Sequence, residues 1–286
     1  MKILLCTDGS AYAQVSYEYV AWWAKRLDNP EIKVLYVTDH RTEKAVKTKD
    51  FSGSIGMDAY QQLLDKLVDI ESDRAKLNHQ RAKFILHQAQ DFLSDNKIEN
   101  VQTIHETGFL IDLFHQFEAD TDVIVLGKRG ETANFATEHL GVNMERLVRA
   151  SHRPCLVTPR EFRPISKVLL AYDGGISCQK ALNFISKSPV FKELELHIMK
   201  VANKKKAIAT EQLKVAQEIA ELAGLKPICQ VLPGEPEAKM EEYIDQHNID
   251  FLIMGAYGHS RIRNLVIGST TAQILRGSHI PVLLFR

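Results

Sequence analysis

Short apolar, β-branched runs recur along the chain, at Ile3 to Cys6, Lys33 to Val37, Val123 to Leu126 and Cys155 to Val157. Runs of this length without polar interruption read as strands buried on both faces of a parallel sheet. Stretches with helical spacing lie between them, among them Tyr17 to Arg26 and Thr210 to Ala223. In the latter, Leu213, Ala216, Ile219 and Ala220 mark one face, with Thr210 as start cap and Gly224 as terminator. Gly234-Glu235-Pro236 opens another helix, the proline falling in a first turn where no backbone N–H is needed. From Asp58 to Leu93, apolar positions at Tyr60, Leu63, Leu64, Leu67, Leu77, Ile85 and Phe92 are interrupted by Arg74 and Arg81. This predicts one long or broken helix, preceded by a mobile segment around Ser52 to Gly56. The alternation of strand and helix predicts an α/β fold of doubly wound, mostly parallel sheets, with ligands at the carboxyl ends of the strands.

The pattern occurs twice. KILLCTDG at 2–9 matches KVLLAYDG at 167–174, so that Asp8-Gly9 answers Asp173-Gly174. DVIVLGKRG at 122–130 matches DFLIMGAYG at 250–258, and GVNMERLVRASHRPCLV at 141–157 matches GSTTAQILRGSHIPVLL at 268–284. Three blocks in the same order define a tandem duplication. The expected domains are 1–160 and 165–286, joined through the proline-containing stretch at 158–164. The first copy is longer, its surplus falling mainly in the helical region before Leu93. The second has only Asn203-Lys204-Lys205-Lys206-Ala207 there, which reads as a solvated loop.

Composition narrows the classes. The 286 residues carry 36 Lys plus Arg and 36 Asp plus Glu, a balance that argues against a nucleic-acid footprint. Hydrophobic residues at 45% and charged ones at 25% suit a globular domain pair. The apolar run after Met1-Lys2 stops at Thr7-Asp8, too short for a signal peptide. No window approaches the about 18 apolar residues of a membrane span. The four cysteines, Cys6, Cys155, Cys178 and Cys229, show no paired ligand spacing, and a reduced, cytoplasmic protein is expected. Among the eleven histidines, His79 and His87 could share a helix face, but no third ligand accompanies them. His152 and His279 recur at matched positions, which points to a shared structural role. No metal site is expected from the histidines.

The segment richest in chemistry is Gly255-Ala256-Tyr257-Gly258, followed after nine residues by Gly268-Ser269-Thr270-Thr271. It lies between the apolar run Phe251 to Met254 and a helical stretch from Thr271 to Arg276. Glycines allow close approach of backbone N–H groups, and the helix start adds donors and partial positive charge. With the Ser269 and Thr270 hydroxyls this forms a polyphosphate cradle. Spacing alone fits equally well a pair of turns followed by a Ser/Thr helix cap.

With its G-x2-G-x9-G-[ST] pattern at Gly255, Gly258, Gly268 and Ser269, its Asp173 after the opening strand and its closing strand at Pro281 to Leu284, the chain resembles the universal stress protein family. The resemblance covers nearly the whole length, once per half, in the tandem two-domain form. It implies a Rossmann-like fold of the adenine nucleotide α-hydrolase type and binding of ATP, often with Mg²⁺ or Mn²⁺. It further implies Asp173 and Val201 at the nucleoside, Met254 and Gly255 beside it, and Gly258, Gly268, Ser269 and Thr270 at the phosphates. His259 either donates to phosphate or faces solvent. Family members commonly dimerise through their last strands. The strands at Cys155 to Val157 and Val282 to Phe285 are therefore expected to pair within one chain as an internal pseudo-dimer, with a further homodimer and an unidentified protein partner left open.

The first half departs from the pattern. Ten residues separate Gly130 from Gly141, and the hydroxyl positions are Val142 and Asn143. Glu131 and Glu138 add negative charge, partly opposed by Lys128 and Arg129. The first half is therefore expected to bind nucleotide weakly or not at all. Asp173-Gly174-Gly175-Ile176-Ser177 is similar to the SGGxDS loop of ATP pyrophosphatases, but its leading serine is Asp173 and its Asp-Ser pair is out of register. Trp22 and Trp23 read as core and interface. The leading expectation is an ATP-binding stress-response or regulatory protein without a nameable catalytic residue. The alternatives are a slow ATP-hydrolysing or adenylylating enzyme and a nucleotide-free sensor of small ligands or partners.

Overall fold

The computed structural model describes residues 1–39, 57–130, 140–204, 206–256 and 269–286, apart from the side chains of 57–61, 63 and 269. The first half runs β1 (Lys2–Cys6), α1 (Ala11–Ala24), β2 (Glu31–Asp39), α2 (Met57–Asp95), β3 (Val101–Gly108), α3 (Leu110–Glu118), β4 (Val123–Gly127), α4 (Val142–Ala150) and β5 (Cys155–Thr158). The second repeats the order with β6 (Lys167–Ala171), α5 (Ile176–Lys187), β7 (Glu195–Val201), α6 (Lys206–Leu222), β8 (Ile228–Leu232), α7 (Pro236–His247), β9 (Phe251–Gly255), α8 (Ser269–Gly277) and β10 (Val282–Phe285). A 3₁₀ turn, Pro189–Phe191, follows α5.

The ten strands form one sheet, ordered β3-β2-β1-β4-β5-β10-β9-β6-β7-β8. Every pairing is parallel except that of β5 with β10, which sets Val282 against Val157, Leu283 against Leu156 and Leu284 against Cys155. Each half therefore has the same internal strand order, and the two meet at their last strands. The central strands are apolar throughout because both sheet faces are covered. Alternate residues feed two different cores: Ile3, Leu5, Val123, Val125, Phe251 and Ile253 lie on one face, and Leu4, Ile124, Leu126, Leu252 and Met254 on the other. Both cores run through the seam. On one face the Trp23 ring, on α1, lies 5.8 Å from Phe191 and 6.1 Å from Phe251, so Trp22 and Trp23 are core residues at the junction of the halves.

Helix α2 is one unbroken helix of 39 residues. Among its described side chains the buried ones lie in the C-terminal part, Ala82, Ile85, Leu86, Ala89 and Leu93, while Val68, Ile70, Leu77 and Phe84 are exposed. The segment Ser52 to Gly56, expected to be mobile, lies outside the described residues. Thr210 does not cap α6, which begins four residues earlier; its hydroxyl donates back to the Lys206 carbonyl at 2.9 Å, inside the helix. Gly224 follows the helix with φ +82°, a left-handed position where glycine carries no Cβ penalty. Pro236 opens α7 as its spacing predicts. His79 and His87 have separate partners: the His79 ring is 5.4 Å from His105 of β3, and His87 Nδ1 pairs with Asp91 at 2.6 Å. All four cysteines are free. Burial raises their thiols, Cys229 to about 11 and the other three to about 12, so none is primed as a thiolate.

Candidate functional site

In each half the first strand lies between the second and the fourth, so the chain leaves β1 towards one side and later returns on the other. The crevice above such a switch point is where an open α/β sheet takes ligands. In the second half it opens at the carboxyl ends of β6 and β9. Asp173 follows β6 on the exposed rim, and its Oδ1 accepts the Gly175 N–H at 2.6 Å, a bond that shapes the turn into α5. Gly174 there has φ +87°, and the side chain nearest a Cβ at that position would be Gln212 of α6, at 3.4 Å. Opposite, β9 ends in buried Met254 and then Gly255. A Cβ on Gly255 would stand 3.3 Å from Ser177 Cβ, so glycine lets the strand end lie close to the start of α5. Val201 is the last residue of β7.

Lys200, not singled out from the sequence, holds this frame together with Thr271, Asn203 and Thr270. Lys200, 7% exposed, donates from Nζ to the Asp173 carbonyl at 2.5 Å and stands 5.7 Å from the Tyr172 ring. Burial lowers its pKa, which the nearby Asp173 partly opposes. The signal was a lysine directly after the apolar pair Ile198-Met199, near the end of the strand. Thr271, 2% exposed, donates to the Ala256 carbonyl at 2.9 Å, with the Gly255 carbonyl at 3.4 Å, and so ties α8 to the end of β9. Asn203 accepts the Gly234 N–H at 2.6 Å and donates to its carbonyl at 3.0 Å, joining the β7 and β8 ends. Thr270 donates to the Glu237 carboxylate in the first turn of α7, an acidic neighbour that the loop motif alone does not show. Asp173, Val201, Met254, Gly255 and Thr270 thus belong to elements that meet at this end of the sheet. Ser269 opens α8; its side chain, and Gly258, His259 and Gly268, lie outside the described residues.

The first-half crevice has the same backbone plan and different contents. Gly9 has φ +77°, but a Cβ there would meet Ile85 Cδ1 of α2 at 2.6 Å. A buried isoleucine thus presses against the turn whose counterpart faces Gln212. A Cβ on Gly127 would stand 2.9 Å from Tyr12 Cβ, tighter than the 3.3 Å between a Cβ on Gly255 and Ser177 Cβ. Gly130 lies close to Asp8: a Cβ there would be 2.6 Å from Asp8 Oδ2. Arg146 of α4 pairs with buried Asp39 at the end of β2, at 3.5 Å. At the position matching Thr271 stands Met144, a core residue. Lys128, which sequence reasoning counted as positive charge for this loop, points elsewhere. Its Nζ donates to the Arg276 and Ser278 carbonyls at 2.7 and 3.0 Å, at the C-terminal end of α8 in the other half. Burial, with Arg129 nearby, lowers its pKa to about 8.

A model of the universal stress protein family matches residues 1–159 and again 164–286. The chain belongs to the universal stress protein family. It is 53% identical to a universal stress protein of Synechocystis sp. over all 286 residues, 99% of that protein's length. The fold is similar to that of a universal stress protein from Archaeoglobus fulgidus, with a TM-score of 0.71 at 22% identity, covering 99% of this chain and 95% of that one. No helix among the described residues is long and apolar enough to cross a membrane.

Proposed function

We propose that this universal stress protein is a cytoplasmic, ATP-binding stress-response or regulatory protein whose second half holds the nucleotide. The supporting observation is the difference between two crevices of one plan. The second keeps an exposed carboxylate at Asp173, a glycine strand end at Gly255 and a polar side chain over Gly174; in the first, Ile85 presses on the turn at Gly9, and Gly130 lies close to Asp8. The residues suit an adenine nucleotide in kind. Asp173 offers acceptors to ribose hydroxyls, the Val201 backbone can address the adenine edge, and Met254 and Gly255 wall the nucleoside. By the loop motif, Gly258, His259, Gly268, Ser269 and Thr270 would bring N–H and O–H donors to phosphates at the start of α8. A bound Mg²⁺ or Mn²⁺ would supply charge neutralisation there. Thr270 would have to exchange its Glu237 partner for phosphate. We take 1–160 and 165–286 as the units, paired through β5 and β10 as an internal pseudo-dimer.

Mass spectrometry of denatured, freshly purified protein and calorimetry with ATP and Mg²⁺ test this reading. Co-purified adenine nucleotide or saturable heat is expected. Absence of both would overturn it in favour of a nucleotide-free sensor.

A further inference from the structure

A second cluster, away from both crevices, brings together His115 and Glu118 of α3 and His152 in the turn between α4 and β5. One ligand-type atom from each lies within 4.8 Å of the others. Glu118 is buried and its two oxygens have different tasks. Oε1 accepts the Ser151 hydroxyl at 2.5 Å, the Arg153 N–H at 3.1 Å and the His152 N–H, which fixes the carboxylate rigidly. Oε2 faces the two imidazoles, with His115 Nδ1 at 3.0 Å and His152 Nδ1 at 3.6 Å. Both histidines are exposed to solvent, so an ion has an entry path.

These separations match a definite chemistry. Zinc bound to nitrogen and oxygen at about 2.0–2.1 Å in tetrahedral geometry requires ligand atoms about 3.3 Å apart. The 3.0 and 3.6 Å edges bracket that value, the shorter being a His115–Glu118 hydrogen bond whose proton a bound ion would displace to solvent. Two imidazoles and one carboxylate form a set suited to zinc and its first-row divalent neighbours rather than to Mg²⁺ or Ca²⁺, which take oxygen ligands. The hydrogen bonds to Oε1 orient the ligand from outside the coordination shell.

We propose that His115, Glu118 and His152 form a binding site for a divalent transition metal of the zinc class, with the fourth tetrahedral position open to solvent. The duplication supplies an internal comparison. Counting back from the matched Asp122 and Asp250, His115 and Glu118 correspond to Tyr243 and Gln246, while His152 corresponds to His279. The serine turn recurs in both copies, Ser151 accepting the Arg153 N–H and Ser278 the Ile280 N–H. The turn is thus the shared structural element, and the N₂O donor set belongs to the first half alone. The spacing in sequence hid it, because the third ligand comes from another helix's end.

The test is titration of the full chain, freed of metal by chelator, with Co²⁺ followed by its visible absorption bands, and with Zn²⁺ by competition. One equivalent is expected to bind with Kd of about 1 µM or tighter. His115→Ala and His152→Ala, both at exposed positions, should each weaken binding more than roughly tenfold, since loss of outer-shell partners alone costs 10–100-fold. His279→Ala should leave it unchanged. No saturable binding in that range, or binding undiminished in both first-half variants that retain wild-type circular dichroism, would overturn the proposal.

Discussion

The two crevices began as copies, and among the described residues they differ most in the side chains set against a shared turn. Gly9 and Gly174 adopt the same left-handed turn, and Asp8 and Asp173 stand at the same place after the first strand. What the first half shows instead is Ile85 against the turn where the second has Gln212, and an Arg146–Asp39 pair across the strand ends. A parallel sheet retains its switch point whatever fills it, so one outline can hold different contents. The first half then turns its residues to other work, with Lys128 capping α8 of its neighbour. Arg286 in return donates to the Arg149 carbonyl at 3.0 Å, at the end of α4.

The largest expected effect concerns that filling. Ile85→Ala should cost about 3 kcal/mol in denaturant unfolding, as a buried aliphatic truncation does. Gln212→Ala, at the matched but exposed position, should stay within about 0.5 kcal/mol. Equal costs would mean that the two crevices are not differently packed. Next, Gly268→Val should weaken ATP at least roughly hundredfold, about 2.7 kcal/mol, by blocking backbone approach, while Gly141→Val leaves it intact.

Much of this difference was legible in the chain. The repeat, the strand runs and the defective hydroxyl positions Val142 and Asn143 are all visible as residues. The parallel order also follows, because continuous apolar runs alternating with helices have few other solutions. Tertiary facts were hidden. Ile85 reads as a core position of a long helix, and only the fold sets it against Gly9. Lys128 reads as loop charge, yet the antiparallel seam delivers it to α8. Thr210 looks like a cap because its residue type suits one, but the helix had already begun at Lys206. Gly258, His259 and Gly268 carry the motif and stand on sequence alone.

Lys128 offers a pH test of the seam. Its folded pKa of about 8 lies below the unfolded value, so the unfolded chain holds the extra proton between the two. Stability should therefore rise with pH across that window, by on the order of 2 kcal/mol from pH 7 to 10. Lys128→Met should lack that increment when the two pH profiles are subtracted, which removes the opposing cysteine and tyrosine titrations common to both. Identical profiles would place the ammonium in water rather than at the end of α8. The smallest effect is at the rim. Asp173→Ala should weaken ATP about tenfold, roughly 1.4 kcal/mol, and Asp8→Ala should not change it.

The most direct measurement is the stoichiometry of ATP with Mg²⁺ on the intact chain, by titration calorimetry at protein concentrations well above Kd. One nucleotide per chain, with the heat retained in Asp8→Ala, is the predicted result. Two per chain, or one whose heat disappears in Asp8→Ala, would contradict a single working site in the second half.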